Sequence, residues 1–491
     1  MSNNTVQVEG VTVPVDHYID GQRVSSETTF EVRSPIDWDD WKLAEVANGG
    51  PVEVDAAVTA ARRAFPEWAA LGPDGRHDHL TKLADAIDAA VPDLAKVETA
   101  DNGSLYEAMS LRVLPRAANN IRFFADFARD RLTEESRALH GGERNRVRYD
   151  PAGVAAVSTP WNAPFMLATW RVGPALAAGD TVVLKPPEWA PLTCSMLGDL
   201  ADHAGLPPGV LNIVHGTGAG AGAPLTGHKD VDRVAFTGSP ATAHTVYRDA
   251  AANLTPVSFE LGGKSPFILF EDADLEAAAA TAAYQYDNSG QVCLAGTRLL
   301  VQHSIIDDFL ELFEARVADI RVGDPRDPDT TYGPLIHPVA LERVTGYVER
   351  AFEAGANLAF GGRPIGGLYY PPTLFTDVPP DAEILQREVF GPVLTLQTFV
   401  DEAEAIRLAN ATDYGLAATI YTGSEERSDR VSAAVVAGTV WVNCFYVRDL
   451  ETPFGGAGDS GIGREGGHHS FDFYADLKTV VERTALFSGA D

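Results

Sequence analysis

Val154-Ala-Ala-Val-Ser158 and Thr181-Val-Val-Leu-Lys185 are two apolar, β-rich runs, and the segment 168–178 between them has the apolar spacing of a helix. The pattern continues downstream, with a helix expected near 192–204, strands at 210–215 and 233–237, and a helix beyond Ser239. Short apolar strands, each followed by a helix, predict a parallel sheet covered on both faces, and such a sheet offers a seat for a dinucleotide. Working outward, a second series of this kind starts at 266–270, with helices near 275–286 and 305–320 and a strand at 298–301. Upstream, 51–131 is Ala-rich, with Ala57, Val58, Ala61, Ala64 and Phe65, then Leu80, Leu83 and Ile87, at helical spacing. This predicts a helical layer, broken at Pro66, Gly72-Pro73 and Asn102-Gly103. The segments 132–148 and 470–482 fit neither series; polar strands of this kind serve as arms that pair with another subunit.

A chain of 491 residues exceeds the roughly 250–300 residues that one core supports, so two or three domains are expected. Its 69 acidic and 38 basic groups give a formal charge of -31, which repels nucleic acid and anionic lipid and opposes an anionic substrate unless arginines hold it locally. The first ten residues lack a basic region followed by an apolar stretch. No window approaches the roughly 18–20 apolar residues of a membrane span, so a cytoplasmic protein is expected. Cys194, Cys293 and Cys444 are odd in number and far apart, which argues for reduced thiols rather than a disulfide framework.

One of those thiols is placed for chemistry. Cys293 lies in Asn288-Ser-Gly-Gln-Val-Cys293-Leu-Ala-Gly296, a glycine-bearing turn after a predicted helix. Most lone cysteines are inert core, and an unperturbed thiol is only a few per cent thiolate near neutral pH, so a nucleophilic one needs a helper. Glu260, in Ser258-Phe-Glu260-Leu-Gly-Gly-Lys264, reads either as a strand-end carboxylate paired with Lys264 or as a partly buried general base. Asn162, in Thr159-Pro-Trp-Asn162-Ala-Pro164, is either a turn residue or an amide donor to an oxyanion. Gly218, Gly220 and Ala223 fit the loose dinucleotide fingerprint after a predicted strand. Neither Gly-x-Ser-x-Gly nor His-Glu-x-x-His occurs, which disfavours a serine hydrolase and a metalloprotease.

Seven stretches, Pro160-Trp-Asn162-Ala-Pro164, Lys185-Pro-Pro-Glu188, Phe236-Thr-Gly-Ser239, Glu260-Leu-Gly-Gly-Lys264, Gly290-Gln-Val-Cys293, Glu388-Val-Phe390-Gly-Pro392 and Pro453-Phe-Gly-Gly456, resemble in order and spacing the aldehyde dehydrogenase superfamily. The resemblance covers nearly the whole chain. It implies an α/β fold with a Rossmann-like parallel-sheet cofactor domain (1–131 and 149–261), a second α/β catalytic domain (262–455) and a small β oligomerisation arm (132–148 and 470–491), in a homodimer or homotetramer. It also implies NAD-dependent oxidation of an aldehyde to a carboxylic acid, with no metal. Cys293 would attack the aldehyde carbon while the Asn162 amide and the Cys293 N–H hold the oxyanion. Water activated by Glu260 would then hydrolyse the thioester, and Lys185 belongs to the same catalytic set. The cofactor would meet Trp161, Lys185, Glu188, Ser239, Leu261, Glu388 and Phe390. A carboxylate at Glu188 would accept the ribose hydroxyls and favour NAD over NADP. The family's pyrophosphate lies by the helix after Ser239, which makes the 215–222 glycine run a decoy; Ala243 stands where many members have glycine.

Trp170 and Phe454 resemble the family's apolar substrate tunnel, but Arg116 and Arg448 fall where neutral side chains are usual. Two guanidiniums on one tunnel would clamp a carboxylate. The run from Val447 to Gly456, with Ser460-Gly-Ile-Gly-Arg464-Glu-Gly-Gly467, is similar to the branch acting on hydroxymuconic and aminomuconic semialdehydes, although Glu451 stands where that branch often has a second arginine. The competing substrates are betaine-type, succinic semialdehyde and general aliphatic aldehydes. Members that pass the acyl group to coenzyme A lack the base that Glu260 supplies. A structural protein that kept the fold is the non-enzyme alternative, and intact Cys293, Glu260 and Asn162 argue against it.

Overall fold

Val154–Ser158 and Thr181–Lys185 are parallel strands paired from Val154 beside Thr181 to Ser158 beside Lys185. In the computed structural model, which describes residues 4–132, 135–139 and 142–483, they lie at the centre of an eight-stranded sheet. Its parallel strands run across in the order Val257–Leu261, Arg233–Gly238, Val154–Ser158, Thr181–Lys185, Leu211–Ile213. Alternate residues of one strand enter different cores: Ala155 and Val157 pack into one, Val154 and Ala156 into the other. Burial on both faces is why these strands read as continuous apolar runs.

Three short antiparallel strands extend the edges: His17–Ile19 and Gln22–Val24 beyond Leu211–Ile213, and Gly461–Ile462 beside Val257–Leu261. At two or three residues each, they carry too little periodicity to be read from sequence. The helical layer is present as Pro51–Ala70, Gly72–Asn102 and Leu114–Asp130. The expected break at Pro66 is absent: the helix runs through it to Ala70, held to the sheet by Val54, Ala57, Val58, Ala61 and Trp68. Proline removes one helical hydrogen bond, and burial of this face outweighs that loss. The helix at 114–130 begins behind a π-helical turn, Met109–Val113.

From Leu261 the chain crosses Gly262-Gly263-Lys264-Ser265 directly into Pro266–Leu269, an interior strand of a second, seven-stranded sheet, all of whose pairs are parallel except that between Asn357–Phe360 and Thr373–Thr376. The carboxyl end of Val257–Leu261 in the first sheet is thus tied by four residues to the amino end of Pro266–Leu269 in the second.

The polar segments form a three-stranded antiparallel sheet of Glu135–Ala138, Glu143–Pro151 and Ala475–Arg483. Residues 470–474, read as arm from sequence, belong instead to the helix Gly467–Tyr474. Phe471 and Tyr474 are buried there in the core of the first sheet, Phe471 stacked on Phe127. The parts of the expected arm at 133–134, 140–141 and 484–491 lie outside the described residues. No helix among the described residues is long and apolar enough to cross a membrane, and none of their His, Cys, Asp and Glu side chains form a cluster that could hold a metal.

Candidate active site

Across the first sheet the chain order reverses between Val154–Ser158 and Arg233–Gly238. At such a reversal the loops leaving the strand ends part and open a crevice. The loop Thr159–Ala163 leaves the first of these strands and Ser239 the second. Ser239 caps the helix Pro240–Ala251, its Oγ accepting the Thr242 N–H at 3.3 Å. This helix start offers N–H groups and a positive dipole end to an anion. Ala243 sits one turn in and is buried, so its methyl faces the core rather than the crevice. The 215–222 run forms a single π-helical turn, Gly218–Gly222, capped where Thr217 Oγ1 accepts the Gly220 N–H at 2.9 Å.

At the neighbouring strand end the buried Lys185 ammonium donates to the Pro186 carbonyl at 2.6 Å and lies 3.6 Å from the Glu188 carboxylate. Burial lowers the Lys185 pKa and Glu188 opposes it. Trp161 stands edge-on to Phe390, centroids 5.4 Å apart, and Phe390 has a left-handed backbone at φ 54°. A helix start after Arg233–Gly238, and an ammonium and a half-buried carboxylate after Thr181–Lys185, two strands away in the same sheet, are the kinds of group that a dinucleotide's phosphates and ribose require.

The crossing between the sheets brings the remaining groups together. The Gly263 N–H donates to Glu388 Oε1 at 2.9 Å, and the Leu261 N–H donates to the Ser460 carbonyl at 3.0 Å. A Cβ at Gly262 would lie 2.0 Å from Glu388 Oε2, and one at Gly263 2.7 Å from the Cys293 carbonyl oxygen. Both positions must be glycine for that approach. Burial pushes Glu388 up to about 7 and Lys264 down to about 7. Among the described residues no ion pair joins Lys264 to Glu260, so the ordinary reading of Glu260 as that lysine's partner does not hold. The electrostatic neighbours of Lys264 are Arg298 and Glu388.

Asn162 donates through Nδ2 to the Gln291 carbonyl at 2.9 Å, two residues before Cys293. A side-chain amide has two N–H groups, so one remains for another acceptor. The stretch before the cysteine carries left-handed Asn288 (φ 52°) and Ser289 (φ 58°). Ser289 is held by the Gly333 carbonyl at 2.6 Å and Asn288 by Ser104 Oγ at 3.0 Å. Strain of this kind persists only where its surroundings fix it.

Cys293 is partly exposed and packs against an apolar cluster that contains Trp441 and Phe454. Its desolvated setting pushes the thiol up to about 12, Glu388 and Glu260 adding to the effect. Glu260, 7% exposed, is pushed by burial up to about 7, against the opposing charges of Arg171, Arg448 and Arg464. A carboxylate with a pKa near neutrality suits proton transfer.

Arg116 and Arg448, singled out in the sequence, lie within electrostatic reach of one another. The Arg448 guanidinium carbon sits 3.6 Å from the Phe454 ring centroid and 5.3 Å from that of Trp170. Its buried Nη2 has no hydrogen-bond partner, and neither has the buried Nε of Arg116 on the helix Leu114–Asp130. Burial lowers the pKa of both, Arg448 to about 10, and Arg116 lowers it further. Glu451 is exposed and pairs with Arg131 at 2.5 Å.

Sequence reading missed the support behind Glu260. Arg171, 1% exposed, donates to Ser258 Oγ at 3.1 Å, Thr237 Oγ1 at 3.0 Å and the Phe236 carbonyl at 3.3 Å, and ion-pairs with Glu465. Glu465 also accepts from the Trp170 indole and from Ser258 Oγ at 3.2 Å. The available signal was a single arginine inside an otherwise apolar helix, Pro164–Ala178, since a buried charge requires a partner.

The family model described as the aldehyde dehydrogenase family matches residues 22–480. The 2-hydroxymuconic semialdehyde dehydrogenase of Pseudomonas sp. strain CF600 is 41% identical over 481 residues, 95% of this chain and 99% of that protein. The human 2-aminomuconic semialdehyde dehydrogenase is 38% identical, covering 96% of this chain and 97% of its own. Among solved structures, the indole-3-acetaldehyde dehydrogenase of P. syringae in complex with NAD+ superposes with a TM-score of 0.94 at 38% identity, covering 96% of this chain and 97% of that one.

Proposed function

The chain belongs to the aldehyde dehydrogenase family, a family of oxidoreductases that act on aldehydes, and from that premise we propose that it oxidises a carboxylated semialdehyde with NAD through a thioester on Cys293. The Cys293 sulfur attacks the aldehyde carbon: the sulfur–carbon bond forms, the carbonyl π pair moves onto oxygen and the thiol proton passes to water. The free N–H of Asn162 and the Cys293 N–H stabilise the charge that builds on that oxygen. As that oxygen re-forms the carbonyl, the hydride leaves the former aldehyde carbon for the acceptor that NAD would supply when bound. Glu260, ionised above its pKa of about 7, then takes a proton from water as that water attacks the thioester, releasing the acid and restoring the thiol. Lys185, Glu188 and Ser239 would hold the adenosine and pyrophosphate end, Glu388 and Phe390 the nicotinamide end, with Trp161 and Leu261 beside them. The Glu188 carboxylate repels a 2′-phosphate and so favours NAD over NADP.

The carboxylate in the substrate rests on one observation: Arg448 and Arg116, both half-buried, each carry a buried guanidinium nitrogen with no partner, and Arg448 acts electrostatically on the Cys293 thiol. A desolvated guanidinium without an acceptor is costly, and a substrate carboxylate removes that cost. The Pseudomonas and human relatives are named for semialdehydes of this kind. A betaine-type substrate is disfavoured, because its cation would meet two more. Arg448→Ala tests the reading. Charge-assisted hydrogen bonds contribute about 1.5–3 kcal/mol each, so the kcat/KM preference for a carboxylated semialdehyde over a neutral aldehyde of equal length should fall about 10- to 150-fold. Equal losses on both would return the substrate to an unspecified aldehyde.

A further inference from the structure

Tyr446 stands between the strand Thr439–Val442 and Arg448 with a left-handed backbone, φ 65°. Bulky residues rarely adopt that conformation, and where they do the surroundings hold them in it, often at a site of function. The ring lies 5.5 Å from that of Phe445 and packs into the same apolar cluster as Cys293 and Phe454. The charges around the phenol are those of Cys293, Asp287, Arg116 and Arg112. Arg112 and Asp287 already have partners: Arg112 bonds the Tyr284 hydroxyl and lies 3.4 Å from the Asp287 carboxylate. Arg116 Nε has none. Among the described residues the Tyr446 hydroxyl makes no hydrogen bond either. A polar hydroxyl without a protein partner thus lies within electrostatic reach of both the nucleophile and the first tunnel arginine.

We propose that the Tyr446 hydroxyl is a specificity-determining group that hydrogen-bonds a hydroxyl or oxo substituent carried by the substrate between its aldehyde and its carboxylate. This rests on the carboxylate reading above, which sets the two ends of the substrate at Cys293 and at Arg116 with Arg448. A phenol both donates and accepts, so it serves either substituent. A plain methylene chain would strip water from the phenol and return nothing, so unsubstituted analogues are disfavoured as well as less well held.

The test compares 2-hydroxy-6-oxohexanoate with 6-oxohexanoate, which differ only in the hydroxyl beside the carboxylate. The native enzyme should have the higher kcat/KM on the hydroxylated acid, and Tyr446→Phe should shrink that ratio about 3- to 10-fold, the value of one neutral hydrogen bond. The ratio is an internal control for a general loss of active enzyme. An unchanged ratio, whatever the absolute rates, overturns the assignment. Arg448→Ala run in parallel separates the two claims. Loss on both acids relative to hexanal, with their ratio kept, supports the carboxylate reading; no such loss contradicts it, whichever way the Tyr446 ratio moves.

Discussion

Arg171, fully buried, and Arg448, half-buried, both bear on Glu260 and are provided for in opposite ways. Arg171 has the Glu465 carboxylate, two hydroxyls and a backbone carbonyl, with only its Nε unpartnered. Among the described residues Arg448 has no hydrogen bond and no ion pair, only the ring faces of Phe454 and Trp170. A buried charge matched inside the protein is part of the frame; a half-buried charge left open anticipates an anion from outside. The two regions meet at Trp170, whose indole donates to Glu465 while its face lies against Arg448. The frame thereby fixes one wall of the binding region.

Unfolding measurements offer the largest handle on this contrast. Glu465→Ala leaves Arg171 buried without its counter-charge, and breaking such a pair costs about 3–5 kcal/mol, read as a lowered denaturation midpoint. Arg448→Ala removes a charge that had no partner and should move stability by no more than about 1 kcal/mol. Similar losses in both variants would show that Arg448 is framework too.

A smaller effect concerns pH. Burial raises the Glu260 pKa to about 7, and Arg171, Arg448 and Arg464 hold it back from rising further. The base acts when ionised, so turnover limited by thioester hydrolysis should fall as pH drops through about 7. Removing Arg448 takes away a cation that favours the ionised form, so the acid limb of the Arg448→Ala profile should move to higher pH. An unmoved limb, or one shifted to lower pH, would mean that Arg448 does not act on Glu260.

The sheet strands were legible in the sequence because burial on both faces leaves uninterrupted apolar runs. The edge strands His17–Ile19 and Gly461–Ile462 were not, being too short to show a period. Pro66 misled because its local rule was overridden by packing of the helix face, and Ser470–Tyr474 because its two buried aromatics sit among polar neighbours. At the site, Cys293 and Glu260 stand close to glycines, which mark close approach, and Asn162 in a proline-flanked turn; each was ambiguous alone, and the ordered set of motifs resembling one family singled them out. Arg171 with Glu465, Lys264 with Glu388, and the strained backbone of Tyr446 depend on contacts between distant segments or on a φ angle that composition does not reveal.

The central claim is that Glu260 serves hydrolysis of a Cys293 thioester, after hydride loss. Rapid mixing of the Glu260→Gln variant with NAD and a carboxylated semialdehyde, followed by NADH absorbance, tests it most directly. The expected trace is a burst stoichiometric with active sites, followed by a steady state about 10²- to 10⁴-fold slower than that of the native enzyme. A trace without a burst, slowed in proportion from the first turnover, would contradict the account and place Glu260 before the hydride leaves.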